Sequence, residues 1–232
     1  MEQTSKDIVN PRQKLYFLYF IIFTIIILVV FTIIIIGTFW GYDVQIKKIE
    51  AFYQSQMHKI TQVQPQINQY DPIKGLPDAK VTIIEYSDIF CPSCQDLQNN
   101  LLALEKLYTN KIRFVYKALP ISSFPENRPA LNAAYCAWEQ NNFWPYKDLL
   151  YENPDLLNHQ KYLEYAADLK LDLTKFNQCL AANKYDTILV RNLADALSLQ
   201  IYSIPTLYIN ETKVEGVFSF ATLKSMIDQR LK

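Results

Sequence analysis

The hydrophobic pattern divides the chain into stretches of distinct character. From Leu15 through Tyr42 there is no charged residue, and the run is bounded by Lys14 and Asp43. A bilayer core takes about 20 apolar residues, whereas the apolar part of a cleavable leader takes about 7 to 15, so the run predicts a transmembrane helix. No small-x-small cleavage pattern follows it, which favours an uncleaved anchor. Tyr16, Tyr19, Phe39, Trp40 and Tyr42 stand at its two ends, as interfacial aromatics do. Apolar residues then recur at Ile46, Ile49, Phe52, Tyr53, Met57 and Ile60, close to helical spacing, and predict a helical stalk. Thr61 to Lys80 turns polar, carries Pro65, Pro72, Gly75 and Pro77, and reads as a linker.

Beyond the linker, strand and helix patterns alternate. Val81 to Tyr86 reads as a buried strand, the stretch from Cys91 to about Tyr108 as a helix, and Lys111 to Ala118 as a second strand. A helix between two strands makes a βαβ unit, so the strands should be parallel. From about 119 to 203 only helical patterns occur: Glu126 to Asn142, Tyr146 to Tyr151, Gln160 to Leu169, Thr174 to Asn183 and Tyr185 to Leu199. Thr206 to Asn210 and Lys213 to Val217 read as an antiparallel hairpin, and Phe220 to Leu231 as a closing helix. The fold class is α/β, arranged as a short segment 1–14, an anchor 15–42, a stalk and linker 43–74, and a folded domain 75–232 with a helical insertion.

Charge adds little. The 23 basic residues balance the 23 acidic ones without forming a basic run, so nothing points to nucleic acid. Lys6, Arg12 and Lys14 before the anchor against Lys47 and Lys48 after it give a slight vote for a cytoplasmic N-terminus. All four cysteines follow the anchor, as expected of a single-pass cell-membrane protein whose folded domain faces an oxidising, extracytoplasmic space. The sequence holds no phosphate loop, dinucleotide fingerprint or metallohydrolase motif.

The chemistry concentrates at Cys91-Pro92-Ser93-Cys94, where the first strand gives way to a helix. Positions i and i+3 share a helix face, so the two sulfurs can approach closely enough to bond. Pro92 suits a first turn, where its missing N–H goes unmissed. Cys91 then lies at the mouth of the helix, where free N–H groups and the dipole favour a thiolate. Glu85 sits inside the apolar strand, where burial raises a carboxyl's pKa and suits it to relay the proton that Cys94 must lose or gain. Downstream, a cis bond before Pro205 in Ser203-Ile204-Pro205-Thr206 would bring that loop against the Cys91 sulfur and present the Ile204 backbone to a bound peptide.

From Gly75 onward the sequence resembles the DsbA-like thiol:disulfide oxidoreductases of the thioredoxin superfamily, including the membrane-anchored bacterial kind. The matching segments are VTIIEYSDIFCPSC, AAYCAWEQNNFWPYKDLLYEN, FNQCLAANKYD and SIPTLYINETKVEG. The resemblance implies a thioredoxin-like fold with an inserted helical domain, with Cys91 as nucleophile, Cys94 as resolving cysteine, Glu85 as proton relay and Pro205 as the cis-proline. Phe90, Pro92, Ser93 and Ile204 would border the client, and Phe90, Trp144 and Tyr202 are candidates for apolar client surface, although Trp144 fits core packing better. The implied activity introduces disulfides into reduced secreted and membrane proteins without a bound cofactor or metal. A DsbB-like or VKOR-like membrane quinone reductase would reoxidise the pair. The alternatives are a reductase or isomerase, or a redox-inert client-binding chaperone module. Two residues depart from the commoner pattern: Ile204 stands where many members have threonine or valine, and Ser93 where the reference type has histidine.

Cys136 and Cys179 fall in separate helical segments. A structural disulfide, a pair of buried free thiols and a role in resolving mixed disulfides are all open; the even count in an oxidising space favours the disulfide. The resemblance adds weight, since its members often pair cysteines in these motifs. A four-cysteine zinc site is disfavoured because structural zinc takes closely spaced pairs.

Overall fold

The computed structural model describes residues 11–61 and 64–232. The segment 1–10, with the Lys6 of the charge comparison, and residues 62 and 63 of the expected linker lie outside the described residues. The chain divides into two compact units near Gln62.

The first unit is one helix, α1 (Pro11–Thr61), so the expected anchor and stalk are continuous. Its stretch Thr24–Tyr53 contains an 18-residue window of mean hydropathy 2.5 and is long and apolar enough to cross a membrane. The apolar side chains from Ile25 to Ile36 are exposed, as are Tyr19, Trp40 and Tyr42, which fits a single-pass anchor. The side chains of Tyr16, Phe39, Met57 and Ile60 lie outside the described residues.

The second unit is built on a five-stranded sheet ordered β1-β3-β2-β4-β5. Strands β2 (Val81–Ser87) and β3 (Ile112–Ala118) run parallel, joined by α2 (Pro92–Leu107). β4 (Thr206–Ile209) lies antiparallel to β2, and β5 (Thr212–Glu215) antiparallel to β4. Side chains alternate across a strand. On β2, Val81 and Ile83 pack with Leu97, Leu101 and Leu104 of α2 and with Leu223 and Ile227 of α8 (Phe220–Leu231). Ile84 and Tyr86 turn the other way, onto Ala196 of α7 (Asp186–Ser198). Glu85, in phase with Ile83, therefore faces α2.

The stretch expected as a helical insertion holds α3 (Asn127–Trp138), α4 (Phe143–Glu152), a short 3-10 turn at Pro154–Leu156, α5 (His159–Asp168), α6 (Leu173–Ala181) and α7. The helix expected from Glu126 to Asn142 stops at Trp138. Asn141 there adopts φ 61°, and the amide of Asn142 returns to the Ala137 carbonyl, which closes the turn into α4. Cys136 of α3 is bonded to Cys179 of α6, with Cα atoms 5.8 Å apart, so neither is a free thiol.

The linker expected up to residue 74 needs correction. Ile73–Lys74 forms β1, antiparallel to β3. Just before it, buried Asp71 sits 2.7 Å from Nζ of Lys117, which also donates to the Gln66 carbonyl at 2.7 Å. Lys117 is fully buried on the α7 side of β3, and a buried ammonium needs such partners, so residues 66–74 belong to the domain. Gly75 then turns the chain at φ 103°, where a Cβ would collide with the Ile112 carbonyl.

Two stability outcomes follow. Replacing both Cys136 and Cys179 with alanine should remove about 2–5 kcal/mol in urea unfolding while leaving the Cys91–Cys94 pair intact. Gly75→Ala should destabilise by more than about 1 kcal/mol, because both the positive φ and the contact with β3 oppose a side chain. Unchanged midpoints would contradict either account.

Candidate active site

The Cys91–Cys94 pair sits where β2 ends and α2 begins. Cys91 is the N-cap residue of α2, with extended backbone (φ −98°, ψ 113°), and Pro92 opens the first turn. Its sulfur accepts the Cys94 amide at 3.2 Å, and the same amide reaches the Cys91 carbonyl at 3.0 Å, closing the first turn. The two cysteines are bonded, with Cα atoms 5.1 Å apart. Cys91 is 8% exposed whereas Cys94 is wholly buried, so an incoming thiolate reaches only the first sulfur.

The remaining expected residues surround that sulfur. The Ile204–Pro205 peptide is cis, and the Ile204 carbonyl oxygen lies 3.8 Å from Cys91 Sγ. The Ser93 hydroxyl lies 3.7 Å from the same sulfur, Pro92 is exposed, and Phe90 is half-buried and stacks on Phe124 at 5.2 Å. Tyr202 is exposed on the loop leading to Pro205. Trp144 stands apart from this rim: it is half-buried and packs against two core clusters.

Glu85 is buried on the central strand, with Oε1 lacking a hydrogen-bond partner. Desolvation pushes its carboxyl above the ordinary carboxylate range, partly opposed by the Lys147 ammonium and the Ser87 hydroxyl. The Ser87 hydroxyl pairs with the Tyr151 phenol at 2.8 Å, and Tyr151 with the Tyr116 phenol at 3.3 Å. Burial holds both phenols well above their usual range, so they stay neutral hydrogen-bonding groups.

Residues missed in the sequence complete the site. The buried Asp88 carboxylate accepts the Phe90 amide on one oxygen and, on the other, the Ile121 and Ser122 amides and the Asn127 side-chain amide. This fixes the loop carrying exposed Phe124, whose ring stacks on Phe90. Lys147 is 1% exposed and donates to Gln98 Oε1 at 2.8 Å. One signal was available for it: Phe143, Tyr146, Lys147, Leu150 and Tyr151 occupy the buried stripe of α4, and a lysine in such a stripe calls for a partner.

With this geometry in place, comparison with known proteins identifies the relatives. The thioredoxin family model matches residues 67–229. A protein named Na(+)/H(+) antiporter NhaA 3, from Salinispora tropica, is 30% identical over 158 residues; they make up 68% of this chain but 24% of that protein, so the chain spans about a quarter of that curated relative. Among solved structures, oxidised BdbD from Bacillus subtilis superposes with a TM-score of 0.64 at 21% identity, covering 72% of this chain and 96% of its own. A single-substitution variant of α-DsbA1 from Wolbachia pipientis superposes with a TM-score of 0.64 at 20% identity, covering 74% and 96%. The chain belongs to the thioredoxin family, and its fold is that of the family's DsbA-like thiol:disulfide oxidoreductases.

Proposed function

We propose that the chain is a membrane-anchored thiol:disulfide oxidoreductase that passes its Cys91–Cys94 disulfide to reduced extracytoplasmic proteins. The observation that carries this reading is the Cys91 sulfur: it caps α2, accepts the Cys94 amide at 3.2 Å, and lies 3.8 Å from the Ile204 carbonyl beside cis-Pro205. A client thiolate attacks Cys91, forming a mixed disulfide and releasing Cys94 as a thiolate, which takes up a proton through Glu85. A second client thiolate attacks the client sulfur of the mixed disulfide. The client leaves oxidised, and the enzyme leaves with both electrons, Cys91 as the thiolate that the helix N-terminus stabilises. Ile204, Phe90, Pro92 and Ser93 border the client, whose backbone meets the Ile204 carbonyl.

The reduced pair is then reoxidised by a DsbB-like or VKOR-like membrane quinone reductase. A shared bilayer raises the effective concentration of that partner, which supports the anchored reading of α1. The oxidising side of a membrane is the compartment in which the bonded Cys136 and Cys179 persist.

The direct test is trapping in cells. Cys91→Ser should abolish exchange, whereas Cys94→Ser should accumulate client proteins disulfide-bonded to Cys91, detectable on non-reducing gels and by mass spectrometry. Absence of trapped clients from the Cys94→Ser chain would contradict the reading. Glu85 makes a separate prediction. Its native carboxyl is raised above the unfolded value, so its contribution to stability is full below the unfolded pKa and is lost as pH rises through the native one. Glu85→Gln should therefore be more stable than wild type in urea at pH 8 and lose that advantage at pH 4; equal differences at both would contradict the buried, raised carboxyl.

A further inference from the structure

The inward stripe of α7, Ile188, Leu189, Asn192 and Ala196, is buried, and a surface helix ordinarily carries polar residues opposite such a stripe. Here Val190 and Leu197 are 54% and 55% exposed, and Ala194 between them is exposed as well. Residues three and four apart on a helix are neighbours, so these three make one apolar strip with Arg191 along its edge. At the start of α7 the strip adjoins a groove of about 580 Å³, lined by Thr187 and Arg191 of α7, by Gln69 and Tyr70, and by Trp138 and Lys184. No carboxylate is found among the described residues that line it.

Arg191 carries the unmatched charge of this surface. Arg113 donates to Thr82 and the Pro77 carbonyl, Arg128 to Asp186, and Arg230 to Thr212 and the Met226 carbonyl. Among the described residues Arg191 donates to none; its guanidinium lies over the Tyr70 ring, 5.5 Å from the centroid. Stacking of that kind holds the guanidinium in place and leaves the N–H edge of its plane open to a planar anion. The nearby acids are engaged elsewhere. Asp186 pairs with Arg128 at 2.5 Å, Asp195 lies 3.6 Å from Lys117 Nζ, and Glu139 lies 2.6 Å from Lys184 Nζ. A carboxylate brought from outside would complete the pairing.

We propose that the outward face of α7, with the groove at its start, docks an acidic amphipathic segment of a partner polypeptide. Apolar side chains of that segment cover Val190, Ala194 and Leu197, and one of its carboxylates forks onto the Arg191 guanidinium. Charge selects against the other occupants. A second copy of this chain, meeting the face with its own α7, brings another unmatched Arg191 and only the paired acids Asp186 and Asp195. An anionic bilayer is held by clusters of about 4–8 basic residues, whereas this face carries a single unmatched guanidinium. Leu193 of the same helix and Ile204 beside Cys91 pack against one core cluster, so a partner held on α7 is held on the layer that backs the exchange site. The docking itself requires no step of exchange.

The test uses the full chain in phosphatidylcholine nanodiscs, with empty nanodiscs as the blank. The probes are two fluorescently labelled synthetic peptides with leucines along one helix face, flanked by glutamates in one peptide and by lysines in the other. The wild-type chain should bind the glutamate peptide and hold the lysine peptide about tenfold more weakly, the worth of one charge-assisted pair. Arg191→Glu, at an exposed position that poses little risk to folding, should reverse that order, and Leu197→Asp should weaken both peptides. Reversal follows the sign of one charge, which a general loss of structure would not produce. Equal binding of the two peptides to the wild-type chain, an unchanged order in Arg191→Glu, or no binding of either peptide would overturn the inference. Sedimentation of the full chain in detergent as a dimer that Leu197→Asp dissociates would assign the face to a second copy and overturn it as well.

Discussion

The hydrogen bond from the Cys94 amide to the Cys91 sulfur depends on where α2 begins. An amide in the first turn has no carbonyl four residues back to donate to, and that of Cys94 is shared between the carbonyl and the sulfur of Cys91. The chain ensures this with Pro92 in the first turn and an extended Cys91 as the cap. The cap position is fixed in turn by β2, whose buried face holds the start of the turn, and by the Asp88 carboxylate, which ties the Phe90 amide and the 121–122 backbone to one point. The redox pair therefore inherits its geometry from a strand end, a helix start and one buried carboxylate, and the cis-Pro205 loop needs only to approach from β4.

The helical insertion does more than roof this arrangement. Its α4 sends Lys147 against the face of the sheet at β3 and β2, where the ammonium meets the ring of Tyr116 and the charge of Glu85. Its α3 and α6 are joined by the Cys136–Cys179 bond, and α3 packs with α4, so the bond steadies the helix layer from which Lys147 projects. The Cys136–Cys179 bond thus shares a scaffold with buried Lys147, whereas Phe90, Phe124 and Ile204 are carried separately on loops.

Much of this was legible because the signals are local. The uncharged run of α1, the continuous apolar run of β2, the proline between the cysteines and the turn between β4 and β5 each announce themselves within a few residues. What was not legible depends on distant partners. β1 is two residues long and hides in a proline-rich polar stretch; it exists because β3 offers it an edge and because Lys117, itself read as an ordinary strand residue, needs Asp71. The end of α3 at Trp138 escaped the helical pattern because the stop is made by the left-handed backbone of Asn141, with no glycine to mark it. Asp88 is a single acid after a strand, and only the fold shows that four donors converge on it. Lys147 was visible as a lysine in an apolar stripe, but its partner Glu85 lies on another element far back in the sequence.

In the proposed direction of exchange, Cys91 leaves as a thiolate that the helix start stabilises, and the pair gives its disulfide away. The most direct measurement of that property is the redox equilibrium of the full chain with glutathione, with the Cys91–Cys94 pair trapped and mapped separately from Cys136–Cys179. The expected potential lies toward the oxidising end of the family's range, nearer about −120 mV than the roughly −270 mV of a thioredoxin-type reductant. A value at the reducing end would contradict disulfide donation and make the chain a reductase on the same scaffold.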